Sequence, residues 1–255
     1  MGADAGSERR LAGHRVLHFQ RVGSTGDVVR ELLAAGRFAS GDVVLADAQE
    51  AGRGRRGRSW VTLPGRSLAT SLLLAPPPLG RPARLVVLAA VAACRALESR
   101  GARDLRIKWP NDLVRADRKV GGLLAEALDT PAGPRVVLGV GINLCLRPGD
   151  LPAEVAARAG DAGLPEGAAE RDALLSALLA ELDAALAEVG TPADEARGAE
   201  YRRRSWLTGR RVALRVAGRS VDGVLADVSP EGDLRLADGR VLAGETAELL
   251  SVEPR

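Results

Sequence analysis

Residues 104–144 read DLRIKWPNDLVRADRKVGGLLAEALDTPAGPRVVLGVGINL. Three strand-forming runs follow one another in this stretch. DLRIKW (104–109) reads as a short strand, and LVRADRKVGGLLAEAL (113–128) as two strands around a tight turn at Ala116 and Asp117. RVVLGVGINL (135–144) is almost continuously apolar, as expected of a strand buried on both faces or central in its sheet. The stretch also holds both lysines of the chain, Lys108 and Lys119, and both asparagines, Asn111 and Asn143. Of 36 basic residues the other 34 are arginine. Lysine is a compact point charge on a flexible stem and arginine a planar fork. Where arginine is accepted so freely, a surviving lysine is a candidate for work that arginine cannot do.

Working outward toward the N-terminus, RVLHFQ (15–20) and VVLA (43–46) read as strands. Ser24 and Thr25 are good N-caps for a helix running to about Ala35 and stopped by Gly36. SLATSLLL (67–74) is a strand ended by Pro76, Pro77 and Pro78, and residues 84–99 form an apolar, buried helix. The first dozen residues read as a disordered tail. Toward the C-terminus, Leu174, Leu175, Leu178, Leu182 and Leu186 mark an amphipathic helix, and a second helix runs from Pro192 to Arg204. After Trp206 the pattern becomes short strands (RRVALRV, SVDGVLADV, DLRLA, RVLAGE) separated by AGR, SPEGD and ADGR, which is turn chemistry. The order of elements implies an α+β fold: a tail over residues 1–13, a mixed-sheet catalytic domain with flanking helices over 14–204, and a small all-β barrel over 205–255.

A hydrophobic content of 46% and a charged content of 27% are ordinary for a globular protein that buries a real core. A net charge of +3 is too small to argue for nucleic acid. Cys94 and Cys145 sit in apolar runs without disulfide or metal spacing and read as small core hydrophobes. No signal-peptide core and no 18-residue apolar run occurs, so a cytoplasmic protein without membrane contact is expected. The loop AGRGRRGRSW (51–60) interleaves Arg53, Arg55, Arg56 and Arg58 with Gly52, Gly54 and Gly57. Glycines let a backbone approach a ligand, and arginines supply paired donors for phosphate or carboxylate. The loop is no Walker A sequence, since GK[ST] is missing, and no dinucleotide fingerprint, since no helix follows. An RNA-binding Arg/Gly segment and a plain solvated loop are the other readings of its composition.

GRGRRGRSW (52–60), KWPNDL (108–113), RKVGGLLAE (118–126) and GVGINL (139–144), in this order and spacing, resemble biotin–protein ligases. The resemblance covers about His18 to Asn143, with a weaker match in the C-terminal module. It implies a catalytic domain of the class II synthetase and lipoate-ligase type followed by an SH3-like barrel. It further implies that biotin and Mg2+-ATP, as substrates, give biotinyl-5'-AMP, and that a lysine of a biotin carboxyl-carrier domain then takes the biotinyl group. The carrier supplies the nucleophile, which agrees with the lack of any Ser/His/Asp or Cys/His arrangement here.

What the resemblance implies for single residues follows from the motifs. Lys119 matches the lysine that contacts the biotin carboxylate and the adenylate phosphate; with Arg55 and Lys108 it forms the candidate catalytic set. Lys108 is assigned, from its place at a strand end, a phosphate or substrate-orienting role, with a strand-end ion pair as its other reading. Ser24, Thr25, Gly26, Gln49, Arg53, Gly54, Arg55 and Lys119 are implied around biotin, with backbone near Gly122, Gly139 and Gly141. Arg53, Arg55, Trp60 and Asn143 are implied around the nucleotide, Trp60 covering adenine. Asp112 is a candidate Mg2+ ligand, turn capping being its other reading. Gly26 departs from the family, which usually has Asn or Gln there reaching the ureido ring; water or backbone must substitute. About thirteen residues precede the first strand, too few for the DNA-binding winged helix of bifunctional relatives, so the monofunctional class without DNA binding is expected. Monomer and homodimer both remain open. A lipoate–protein ligase-like acyltransferase is the nearest enzymatic rival. A nucleic-acid-binding protein is the rival of another class, though no aromatic residue follows Trp206 to serve as a stacking platform. Because every ligand candidate lies at or before Asn143, the barrel is expected to assist transfer more than adenylation.

Overall fold

The computed structural model describes residues 6–75, 82–131 and 133–253. Its larger, N-terminal region is built on one eight-stranded sheet. In chain order the elements are β1 (Ser7–Leu11), β2 (His14–Val22), α1 (Thr25–Ala34), β3 (Val43–Gln49), β4 (Ser67–Leu74), α2 (Pro82–Ser99), β5 (Arg106–Lys108), β6 (Asp112–Arg115), β7 (Arg118–Leu128), β8 (Arg135–Asn143), α3 (Ala153–Ala156), α4 (Ala168–Ala187) and α5 (Pro192–Arg204). The strands pair in the order β1-β2-β3-β4-β8-β7-β6-β5. β2 and β3 run parallel, as the α1 crossover between them requires, and the other pairs are antiparallel.

The apolar run 135–144 is the strand that holds the sheet together. β8 lies between β4 and β7, and Leu138 and Ile142 are buried in the core formed with α2 and α4. Val137, on the opposite face, packs in a second core with Val28, Val29, Phe19 and Phe38 under α1. The sheet is thus covered by α2 and α4 on one face and only in part, by α1, on the other. The turn at Ala116 and Asp117 has both residues at positive φ (47° and 59°), the primed geometry that matches strand twist. α1 ends where expected, with Ala35 as C-cap and Gly36 at φ 65°.

One expectation needs correction here. Residues 7–11 are not part of a tail: β1 pairs with β2 through a turn at Ala12 and Gly13, and Arg9 bonds Asp172 of α4 at 2.7 Å. A strand held by edge pairing and an ion pair carries no apolar alternation for a sequence reading to find. Residues 1–5, the three prolines 76–78 and residues 254–255 lie outside the described residues.

The C-terminal module is a five-stranded antiparallel sheet in the order β12-β11-β10-β9-β13, from β9 (Arg211–Val216), β10 (Arg219–Val228), β11 (Leu234–Leu236), β12 (Val241–Leu242) and β13 (Ala247–Val252). The expected strand 240–245 shrinks to β12, and β13 follows it. The module does not have a core of its own. Leu207, Val212, Leu214, Leu225 and Leu234 join the same continuous apolar core as α2 and α4. Trp109, fully inside, donates its indole N–H to the carbonyl of Gly232 at 2.8 Å.

Candidate active site

The uncovered half of the sheet opens into a cavity of about 890 Å3. Strand alternation and one irregularity aim its walls. Gly139, Gly141 and Asn143 of β8 share a face and line the cavity. On β7 the register slips: Leu113 pairs with Gly121 but Val114 pairs with Lys119, leaving Val120 as an extra, fully buried residue. This bulge puts Lys119 and Gly122 on one face, which a regular strand would forbid. A Cβ on Gly122 would stand 3.2 Å from Lys119 Nζ, so the lysine folds back over the glycine toward Asp112, whose Oδ1 it meets at 2.6 Å.

At one end of the cavity Thr25, Gln49 and Ser71 form an uncharged polar patch. Gln49 Oε1 accepts from the Thr25 amide at 2.9 Å and from Thr25 Oγ1 at 3.1 Å. Gln49 Nε2 donates to Thr62 Oγ1 at 3.1 Å, and Thr25 Oγ1 lies 2.8 Å from Ser71 Oγ. Ser24 is the N-cap residue of α1, but its hydroxyl makes no capping bond there. It lines the cavity instead, so the expected double role reduces to one. A Cβ on Gly26 would stand 3.3 Å from an Arg53 guanidinium nitrogen. Gly26 therefore leaves room for Arg53, which pairs with Asp27 at 2.8 Å, while Arg30 bonds Glu126 beside it at 2.8 Å.

The other end is cationic. Arg55, Arg56, Arg58, Lys108, Lys119 and Arg158 line it, with Asp112, Asp117 and Glu248 among the lining carboxylates. Burial, reinforced by Arg56, pushes the Arg55 guanidinium below its ordinary pKa. Burial likewise pushes the Lys108 ammonium down, helped by Lys119 and Arg210 and opposed by Asp112. Two half-buried cations pushed toward losing their protons form a site that an anion would relieve.

Between the two ends, the Gly/Arg loop folds back on itself. Gly54 N–H bonds the Arg58 carbonyl at 2.7 Å and Trp60 N–H bonds the Gly52 carbonyl at 2.8 Å. A Cβ on Gly52 would come within 2.4 Å of the Trp60 carbonyl, so only glycine fits. The Trp60 indole lies directly on Gly141, where a Cβ would stand 2.5 Å from the ring, and Lys119 Nζ is 5.6 Å from the ring centre. Asn143 bonds the Gly160 carbonyl at 2.9 Å, and Asn111 bonds the Leu123 carbonyl at 2.6 Å. Asn111 thus braces β7 at the cavity wall, which it also lines.

Every residue put forward from the sequence for ligand contact lines this one cavity. The structure adds Thr62 through its bond to Gln49, together with Ser71, Glu126, Trp206 and residues 247–252. Thr62 and Ser71 gave no motif signal, being small polar residues whose role comes from side-chain contacts with Gln49 and Thr25, distant in sequence. β13 is the larger surprise: it walls the cavity, and Glu248 pairs with Arg56 of the loop and with Arg215 at 3.1 Å. No group of three or more His, Cys, Asp or Glu residues able to hold a metal occurs among the described residues. Cys94 is inert, its thiol pushed up to about 12 by burial.

Residues 18–143 match the biotin/lipoate A/B protein ligase family. The chain is 33% identical over 244 residues to a biotin–[acetyl-CoA-carboxylase] ligase of Mycobacterium tuberculosis, covering 89% of this chain and 88% of that one. It is 35% identical over 152 residues to the bifunctional ligase/repressor BirA of Bacillus subtilis, 59% of this chain but only 46% of the relative, so it spans less than half of that protein's length. Among solved structures it superposes on the biotin protein ligase from Aquifex aeolicus in complex with biotin and ATP, with a TM-score of 0.79, 24% identity and coverage of 92% of this chain and 98% of that one.

Proposed function

The chain belongs to the biotin/lipoate A/B protein ligase family, and from that premise we propose that it is a biotin–protein ligase, activating biotin with Mg2+-ATP and passing it to a lysine of a biotin carboxyl-carrier domain. The observation that carries this reading is the two-ended cavity: a neutral hydroxyl and amide patch around Thr25, Gln49 and Ser71 opens onto a cationic end holding Arg55, Arg58, Lys108 and Lys119. A neutral bicyclic ureide with a carboxylate tail, joined to a nucleotide, has that charge distribution.

In the first step a biotin carboxylate oxygen attacks the α-phosphorus, the bond to the bridging oxygen breaks, and pyrophosphate leaves with that electron pair. Carboxylate and triphosphate repel each other before they react. Lys119 and Arg55 offset that repulsion and the charge that develops in the transition state. Asp112, 2.6 Å from Lys119, holds the ammonium over Gly122. A single carboxylate does not make a magnesium cage, so Mg2+ arrives with the phosphates as part of the substrate. In the second step the carrier amine attacks the acyl carbon, AMP departs, and the nitrogen loses a proton to give the amide. The reading places the protein in the cytoplasm, with ATP and the carrier. No helix among the described residues is long and apolar enough to cross a membrane.

Two results are expected. Biotin with ATP at about a hundred times its dissociation constant should raise the thermal midpoint by roughly 5–10 °C, and lipoate with ATP should not. The reverse preference would assign the cavity to the lipoate branch. Second, Gly141→Ala must push the indole of Trp60 off β8. Its ATP affinity should fall by about 10- to 100-fold as the nucleotide loses its platform, measurable by titration of tryptophan fluorescence. Unchanged affinity would mean that Trp60 only packs.

A further inference from the structure

Trp206 belongs to no motif, yet it joins three parts of the cavity. Its backbone N–H bonds the Ile107 carbonyl at 2.9 Å, and Ser205 bridges Ile107, so the segment entering the C-terminal module is fastened to β5 one residue before Lys108. Its ring lies 4.8 Å from Lys108 Nζ. Its indole N–H donates to Asp117 Oδ1 at 2.6 Å, in the turn that leads into Lys119. Arg210 completes the arrangement: its guanidinium carbon is 3.8 Å from the centre of the Trp206 ring, one of its nitrogens is 3.2 Å from the same Asp117 oxygen, and its side chain is 8% exposed.

Lys108 has no carboxylate within ion-pairing distance among the described residues; Asp112 acts on it only from farther away. An ammonium on a four-carbon stem, half-buried and without such a partner, has many rotamers to lose on binding a phosphate. A tryptophan face attracts it electrostatically without neutralising it, so the charge stays available to a ligand. We propose that Trp206 is a positioning residue that holds Lys108 toward the phosphate end of the cavity, and that through it the C-terminal module takes part in ATP binding. The proposal rests on the ligase reading and on the phosphate role of Lys108.

The test separates the two half-reactions. With wild type, Trp206→Leu, Trp206→Phe, Lys108→Ala and the Leu/Ala double variant, pyrophosphate release is measured against ATP and against biotin, and transfer is measured from preformed biotinyl-5'-AMP. Trp206→Leu should raise the KM for ATP by roughly threefold to thirtyfold. The KM for biotin and the transfer rate should stay as in wild type. Trp206→Phe, which keeps a ring, should return to within about threefold of wild type. The double variant should be no worse than Lys108→Ala alone, because both changes remove one effect. An unchanged ATP KM in Trp206→Leu, multiplying effects in the double variant, or a Phe variant as weak as Leu would each overturn the proposal. If the Leu variant does not fold, the cycle run with Phe decides: the weaker ring should raise the ATP KM about twofold when Lys108 is present and not when it is absent. Wild type without biotin-dependent pyrophosphate release would instead sink the ligase reading.

Discussion

Lys119→Ala is expected to lower the rate of biotinyl-adenylate formation by about a hundredfold or more, the cost of removing one preorganised electrostatic stabiliser, with the fold unchanged. The lysine is 38% exposed and packs on glycine, so its removal opens no core cavity; Asp112, its partner, is itself 25% exposed and can hydrate. The loss is therefore assigned to charge. Lys119→Arg should also be poor, because the ammonium packs so closely over Gly122 that a Cβ there would stand only 3.2 Å from Nζ, and a planar fork is bulkier than a point charge. Near-normal pyrophosphate release with unchanged circular dichroism in the Ala variant would remove Lys119 from the chemistry.

A chain ending at Arg204 should lose adenylation as well as transfer, and should fail to give a soluble domain with a cooperative transition. The sequence reading expected the opposite, since no ligand motif lies beyond Asn143. The structure reverses the expectation for two reasons. Leu207, Val212, Leu214, Leu225 and Leu234 are buried in the core shared with α2 and α4, and burying one such side chain is worth about 1.5–3 kcal/mol relative to exposing it. Truncation also uncovers their partners and leaves the Trp109 indole N–H without the Gly232 carbonyl. Beyond stability, β13 and Trp206 are cavity wall, so the truncated chain would lack one side of the ATP end. A soluble truncation that still releases pyrophosphate at the full-length rate would restore the original division of labour.

The contrast shows what the sequence could carry. β8 was legible because a strand central in a sheet must be apolar throughout, and the Ala116–Asp117 hairpin because its turn chemistry is local. Gly122 and Gly141 came only through the family resemblance, and the structure supplies a physical reason for them in the indole on Gly141 and the lysine over Gly122. The lysines stood out against 34 arginines. β1 was missed because ion pairs and edge bonds leave no periodicity. The bulge at Val120 was missed because it depends on register with β6, a property of two strands. The role of β13 and Trp206 was missed for the same kind of reason: residues 206–252 reach residues 56, 108 and 117 only through the packing of one module on another.

The central claim, that this cavity activates biotin with ATP for transfer to a carrier lysine, is tested most directly by one coupled measurement. Purified protein is given Mg2+-ATP with and without biotin, pyrophosphate is followed, and a carrier domain is then added and its mass read. The account predicts pyrophosphate release only with biotin, limited to about one equivalent per enzyme until the carrier arrives, and then one biotinyl group on a single carrier lysine. Pyrophosphate release that ignores biotin, or a carrier left unmodified by enzyme that has formed the adenylate, would contradict it.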